Sequence, residues 1–236
     1  MDKNNLTSIF DEAKNYWEAA GQHSLIRQYS HWRNEWKDDE EWLAYGRRNL
    51  LMFEELCKMV NTDPQKFETF LEWGPGGGAN LVVFSERMKK MYGVDISRSN
   101  LKECHSQLEH LSYFNFESIV LQDASMSPTF QELHNSIQFI LSTAVFQHFP
   151  SKEYGISVLS QMWQLLCDSG VALIQIRYDD LSATFSAKTD NYSQNALTFT
   201  SYRVEEFWQI CEEIGFQPLF IRLLPRTNYA YFYLKK

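Results

Sequence analysis

From Phe67 onward, short apolar runs alternate with stretches in which apolar residues recur every three or four positions, and this alternation predicts a βαβ sheet. Strands are expected at about 67–73, 91–95, 118–122, 137–142 and 171–177. Ile156, Leu159, Met162, Trp163 and Leu166 fall at helical spacing, which predicts a helix over Lys152–Cys167 closed by Ser169-Gly170. A second helix is expected over Tyr202–Ile214, with Ser201 as its N-cap and Gly215 just past its end. The runs Pro218–Leu224 and Tyr229–Leu234 flank Pro225-Arg226-Thr227-Asn228, a length that suits a hairpin adding one antiparallel strand to a mostly parallel sheet. Asp179–Thr200 has no clear period and many Ser, Thr and Asn residues, so it reads as a loop over the sheet, where lids occur.

Residues 1–62 carry a different pattern, polar and helical, with Gly21 and Gly46 as punctuation and no proline. Within them Ala44–Val60 places Leu50, Met52, Phe53, Leu56, Cys57 and Val60 near one helical face before Asn61-Thr62-Asp63-Pro64 ends the helix. The chain therefore divides into an N-terminal helical cap, 1–62, and an α/β domain, 63–236, with helices on both faces of its sheet. The 236 residues suffice for one such domain with an appendage.

A net charge of -8 opposes binding to a phosphate backbone, so nucleic acid is disfavoured and not the expected partner. Cys57, Cys104, Cys167 and Cys211 are scattered singly, which suits free thiols in a reducing compartment and offers no metal-ligand set. The N-terminus lacks an apolar signal core, and no apolar run is long enough to span a bilayer, so a cytoplasmic protein without membrane contact is expected.

Four of the ten glycines fall in FLEWGPGGGANL, between an expected strand and an expected helix, where missing side chains let backbone approach a ligand. Gly74-Pro75-Gly76-Gly77-Gly78-Ala79 satisfies G-x-G-x-x-G/A, and Asp95 ends the next strand where an acid binds a ribose diol, so a dinucleotide reading is admissible. A Walker loop is not, because no Gly-Lys-Ser/Thr follows.

Over residues 67–236 the order of segments resembles the class I S-adenosylmethionine-dependent methyltransferases, small-molecule type. Glu72-Trp73-Gly74-Pro75-Gly76-Gly77-Gly78 looks like that family's E/D-x-G-x-G-x-G, and Tyr92-Gly93-Val94-Asp95-Ile96 like its second motif. Gln122-Asp123-Ala124 looks like its third, Ser142-Thr143 through His148 follows the fourth strand, and Gly170-Val171-Ala172 begins the fifth. The resemblance implies a Rossmann-like seven-stranded, mostly parallel sheet with a reversed last strand. It also implies S-adenosylmethionine as cofactor, leaving as S-adenosylhomocysteine, held by Glu72, Gly74, Gly76, Gly78, Asp95, Ile96, Asp123, Ala124 and Thr143. Acids suit a cationic sulfonium carrying a ribose and an adenine but no phosphate.

Methyl transfer from a sulfonium is an in-line displacement, and a hydroxyl or ammonium acceptor must lose a proton to a base. His148, past the fourth strand and with a side chain that titrates near neutrality, is the candidate. Arg177 and Tyr178, past the fifth strand, are placed to meet an acceptor. The cap concentrates Trp17, Trp32, Trp36 and Trp42 among Tyr16, Tyr29 and Tyr45, and an aromatic lining contributed by Trp17, Tyr29 and Trp32 would suit an apolar or cationic small molecule. Arg47 is positioned in the cap to pair with the cofactor's methionyl carboxylate. The expected reaction is methylation of an oxygen or nitrogen of a small molecule. A protein, peptide or tRNA substrate, a non-catalytic cofactor-binding role and a homodimer all stay open.

Overall fold

In the computed structural model the chain is described over residues 3–123 and 129–236. It divides into two compact units, Lys14–Gln122 on one hand, and the chain up to Ala13 together with Asp123–Lys236 on the other.

The first unit begins with the end of helix α1 (Lys3–Glu18), followed by α2 (Ser24–Tyr29) and α3 (Asp39–Met59). Asp38 caps α3, accepting from the Glu41 N–H at 2.9 Å, and Asp39, Glu40 and Glu41 place negative charge at the positive end of the helix dipole. The helix buries Trp42, Gly46, Asn49, Met52, Phe53, Leu56 and Cys57. Sequence spacing put Leu50 on that face, but Leu50 is only half-buried and Asn49 takes the inward position. Phe53 and Leu56 are fully enclosed, and each such side chain contributes about 1.5–3 kcal/mol.

Strands β1 (Thr69–Trp73), β2 (Lys90–Asp95) and β3 (Phe116–Val120) follow, with α4 (Ala79–Phe84) and α5 (Arg98–His110) as crossovers. β2 lies parallel to both neighbours, with Glu72 opposite Gly93 and Trp73 opposite Val94. Phe70 to Trp73 are all buried, which is the continuous run expected of a strand covered on both faces.

The second unit contains α6 (Thr129–Glu132), β4 (Ile137–Ser142), α7 (Lys152–Leu165) and β5 (Leu166–Arg177). After these come α8 (Tyr192–Asn195), α9 (Val204–Ile214), β6 (Gln217–Leu224) and β7 (Tyr229–Lys235). β4 and β5 are parallel, whereas β7 runs antiparallel to both β5 and β6, so the C-terminal hairpin supplies the reversed strand. The seven strands follow the order β3-β2-β1-β4-β5-β7-β6, a Rossmann-like mixed sheet.

Two boundaries differ from those the spacing predicts. Helix α7 stops at Leu165, and Ser169-Gly170 lies within β5. Leu166 already pairs with Ile137, so the exposed polar residues that looked like a helix terminator form an irregularity between paired Leu166 and Val171. Helix α9 begins at Val204, because Tyr202 is held extended in a bridge to Tyr178. The Arg203 N–H donates to the Glu206 carboxylate at 3.0 Å, and Ser201 is buried ahead of the helix without capping it. Gly215 ends α9 at φ 116, with its N–H on the Cys211 carbonyl, as its position predicts.

Among the described residues no helix is long and apolar enough to cross a membrane.

Candidate active site

β1 runs straight into the glycine cluster. Gly74, Gly76 and Gly78 have φ of 74, 53 and 87, a left-handed region where side chains are strained, so this path from strand to helix needs glycine. The Gly74 N–H donates to the Val94 carbonyl at 2.7 Å, and the Gly78 N–H to the Pro75 carbonyl at 2.9 Å, just ahead of α4.

The backbone of Ser30, His31 and Trp32 packs directly on this loop. The Gly77 N–H donates to the Ser30 carbonyl at 2.6 Å. A Cβ added at Gly76 would stand 2.3 Å from that carbonyl oxygen, and one at Gly77 would stand 2.4 Å from the His31 carbonyl oxygen. The corner is held by Trp42, whose Nε1 donates to the His31 carbonyl at 2.8 Å, and by Trp32, whose Nε1 donates to Asn100 Oδ1 at 2.8 Å. His31 itself adopts φ 57 and lies between the rings of Trp36 and Tyr45, at centroid separations of 5.5 and 4.9 Å. Burial, with Arg48 second, pushes its imidazole down to about 4, so it is neutral near pH 7. No sequence signal marked residues 30–32 as a unit, because what forms the corner is its distant contact with the loop.

Behind the loop lies a pair of buried acids. Glu72 at the end of β1 accepts from Asn80 Nδ2 at 2.5 Å through Oε1, while Oε2 has no partner. Asp95 at the end of β2 accepts from the Ser97 N–H at 2.8 Å and from Asn100 Nδ2 at 3.4 Å. Burial raises Glu72 to about 8, with the Asn80 hydrogen bond opposing and the nearby Asp95 adding to the rise. Burial raises Asp95 to about 6, opposed first by the Ser97 N–H and then by Asn100, Gly76 and Ile96. Among the described residues no cation forms an ion pair with either acid. A cationic ligand with ribose hydroxyls fits this donor set, supplying the charge and the hydrogen bond that Glu72 Oε2 lacks. Ile96 lies half-buried beside Asp95.

The raised Glu72 value has a consequence for stability. The folded chain holds the proton more tightly than the unfolded chain, where the group titrates near 4.5. Stability from neutral Glu72 is therefore complete below about 4.5 and is lost as pH rises through about 8. The urea midpoint of ligand-free protein should fall between pH 6 and about 8.5. Glu72→Gln should flatten that part of the curve, and an unchanged slope in the variant would assign the loss to another group.

The remaining cap residues occupy varied settings. Trp17 is buried, its ring edge-on to Tyr16 at 5.0 Å, while Tyr29 is half-buried. Arg47 pairs with Glu40 at 2.5 Å on an exposed face of α3.

In the second unit, a sharp turn follows β4. Thr143 is buried with Oγ1 unpartnered, and Ala144 at φ 58 donates its N–H to Gln175 Oε1 at 2.9 Å. A 3-10 turn, Phe146–His148, comes next. His148 Nδ1 lies 2.5 Å from the Ala196 carbonyl, which can only accept, so Nδ1 carries a proton and donates it there. Segment 179–200 is fastened to this turn: Tyr192 Oη donates to the His148 carbonyl at 2.8 Å and the Thr200 N–H to the Gln147 carbonyl at 2.9 Å.

Arg177 donates through Nη2 to Tyr229 Oη at 2.8 Å and stands over the Tyr229 and Phe185 rings at 4.7 and 5.2 Å. Tyr178 is half-buried, its N–H on the Asn228 carbonyl at 2.8 Å. Asp123 is exposed, and Ala124 lies outside the described residues.

Sequence comparison matches residues 44–219 to a family described as the methyltransferase domain. No curated protein matches the sequence. Three solved structures share the fold at low identity. A SAM-dependent methyltransferase from Aquifex aeolicus is 16% identical, with 80% of this chain and 97% of that one aligned at a TM-score of 0.52. A S-adenosylmethionine-dependent methyltransferase from Clostridium acetobutylicum is 11% identical over 78% and 88% of the two chains, at a TM-score of 0.60. Haemonchus contortus phosphoethanolamine N-methyltransferase 2, in complex with phosphomonomethylethanolamine and S-adenosylhomocysteine, is 18% identical over 77% of this chain and 40% of that one, at 0.58.

Proposed function

This chain belongs to the class I S-adenosylmethionine-dependent methyltransferases, and from that premise we propose that it methylates an oxygen or nitrogen of a small molecule by in-line displacement. The observation that carries the assignment of the cofactor-binding half is the buried pair Glu72 and Asp95, without a cationic partner among the described residues, beside a loop of left-handed glycines. When bound, S-adenosylmethionine supplies an electrophilic methyl group on a sulfonium.

The chain's own groups then have defined tasks. Gly74, Gly76 and Gly78 let the backbone turn through the left-handed region beside the acids, Asp95 accepts from ribose hydroxyls, and Ile96 offers apolar surface to the adenine. The family resemblance makes Asp123, Ala124 and Thr143 further cofactor-binding candidates, and Arg47 would reach the methionyl carboxylate only by leaving Glu40. His148 takes the acceptor's proton at Nε2, since its Nδ1 proton is committed to Ala196. Trp17, Tyr29 and Trp32 are the acceptor-binding candidates of the 1–62 cap, and Arg177 and Tyr178 those of the 63–236 domain. The acidic net charge supports a small molecule over RNA, and the four unpaired thiols suit a cytoplasmic setting.

Calorimetric titration with S-adenosylmethionine and with NAD tests the cofactor, and methyl-labelled S-adenosylmethionine incubated with a small-metabolite extract tests the acceptor class. Saturable S-adenosylmethionine binding and a labelled small product are expected. Label appearing only in protein or RNA would overturn the small-molecule reading.

A further inference from the structure

Glu72 stands at one end of a buried chain of side chains that crosses from α3 to β1. Asn49 Nδ2 donates to Asn80 Oδ1 at 2.8 Å, and Asn80 Nδ2 donates to Glu72 Oε1 at 2.5 Å. All three residues are buried, and the ends of the chain, Asn49 Oδ1 and Glu72 Oε2, have no partner. Asn80 thus offers its oxygen to Asn49 and its nitrogen to the acid. Asn49 comes from the helix that precedes β1, and Asn80 from the second position of α4, so two separate elements converge on one carboxyl oxygen.

An ionised Glu72 here would be a buried charge with one hydrogen bond and no cation, a costly state. The titratable groups that face it are Asp95 from β2 and the Cys104 thiol from α5, and neither offers positive charge. We propose that burial without a cation keeps Glu72 a neutral acid in the ligand-free chain, that Asn49 and Asn80 are positioning residues that fix the orientation of its carboxyl group, and that binding of cationic S-adenosylmethionine expels its proton. The balance is simple: the carboxyl O–H breaks, the proton passes to buffer, and the carboxylate stays beside the bound cation. The inference rests on the cofactor reading above. The value of about 8 for buried Glu72 agrees with it, because the group is then protonated near pH 7.

The test is calorimetric titration with S-adenosylmethionine at pH 7 in buffers of differing ionisation enthalpy, where the slope of observed against buffer enthalpy counts protons. About one proton should be released by the wild type and none from this site by Glu72→Gln, which keeps the shape of the side chain. Across pH 6–9, affinity should rise with pH and level off near the free group's titration point. Asn80→Ala removes the hydrogen bond that favours the ionised form, so it should move that levelling to higher pH. Asn49→Ala frees the Asn80 amide to turn and should move it the same way by less. A purely structural role would change the urea midpoint and leave the pH profile in place. Binding without proton release overturns the inference and leaves the cofactor reading intact, whereas no binding at all overturns both.

Discussion

Gly76→Ala is expected to destabilise the protein by about 3 kcal/mol or more, through a strained left-handed alanine and a forced backbone displacement. Gly76 has φ 53, and the new Cβ would meet the Ser30 carbonyl oxygen at 2.3 Å. Nothing flexible stands there to yield, since Ser30 and its neighbours are fixed by the Gly77 hydrogen bond and by Trp42. Gly77→Ala should be harmful for the same steric reason, its Cβ meeting the His31 carbonyl oxygen at 2.4 Å. Gly21→Ala makes a useful control, because its nearest neighbour is the Ser99 hydroxyl at 2.9 Å, a side chain that can turn away. Urea unfolding of the three variants gives the comparison. Equal midpoints for Gly76→Ala and wild type would show that residues 30–32 do not rest on the loop in solution.

The second large effect concerns catalysis. His148→Ala is expected to lower turnover of the acceptor by about 10²-fold or more while leaving S-adenosylmethionine affinity unchanged. The hydrogen bond from Nδ1 to Ala196 makes the prediction sharper than a general loss of a histidine, since it assigns the proton-accepting role to Nε2. His148→Gln offers an amide in similar space without a titratable nitrogen, so it should be as slow as the alanine variant. A pH–rate profile should lose its acidic limb in both. Full activity in either variant would remove His148 from the mechanism and point to an acceptor that needs no base.

Much of the sheet was legible in the residue pattern because buried parallel strands are nearly uninterrupted apolar runs, as in Phe139-Ile140-Leu141 and Val171 to Ile174. The C-terminal hairpin was legible from a four-residue spacer between two such runs. The errors fall where local chemistry has two readings. Cys167-Asp168-Ser169-Gly170 suits a helix end as well as an irregular strand, and only pairing of Leu166 with Ile137 selects the strand. Ser201 has the side chain of a cap, but the Tyr178–Tyr202 bridge keeps the next residue out of the helix.

At the candidate site, Glu72, Asp95 and the glycines could be found because each carries a distinctive residue type at a strand end. Asn49, Asn80 and Asn100 could not, since an asparagine looks the same whether it faces water or a buried acid. Trp42 illustrates the limit for the cap: its abundance of rings suggested a ligand lining, yet this ring is buried with its N–H on the His31 carbonyl. Trp32 likewise spends its N–H on Asn100, leaving only its half-buried face to a ligand.

The glycine loop also bears on how far this domain is portable. The region shared with the methyltransferase family spans residues 44–219, while the backbone that accepts from Gly77 lies at Ser30. A protein cut back to the shared region would keep every glycine of the loop and both acids but lose the acceptor of that N–H, together with the carbonyl against which Gly76 is fitted. Grafting the motif elsewhere would therefore transplant half of a seam.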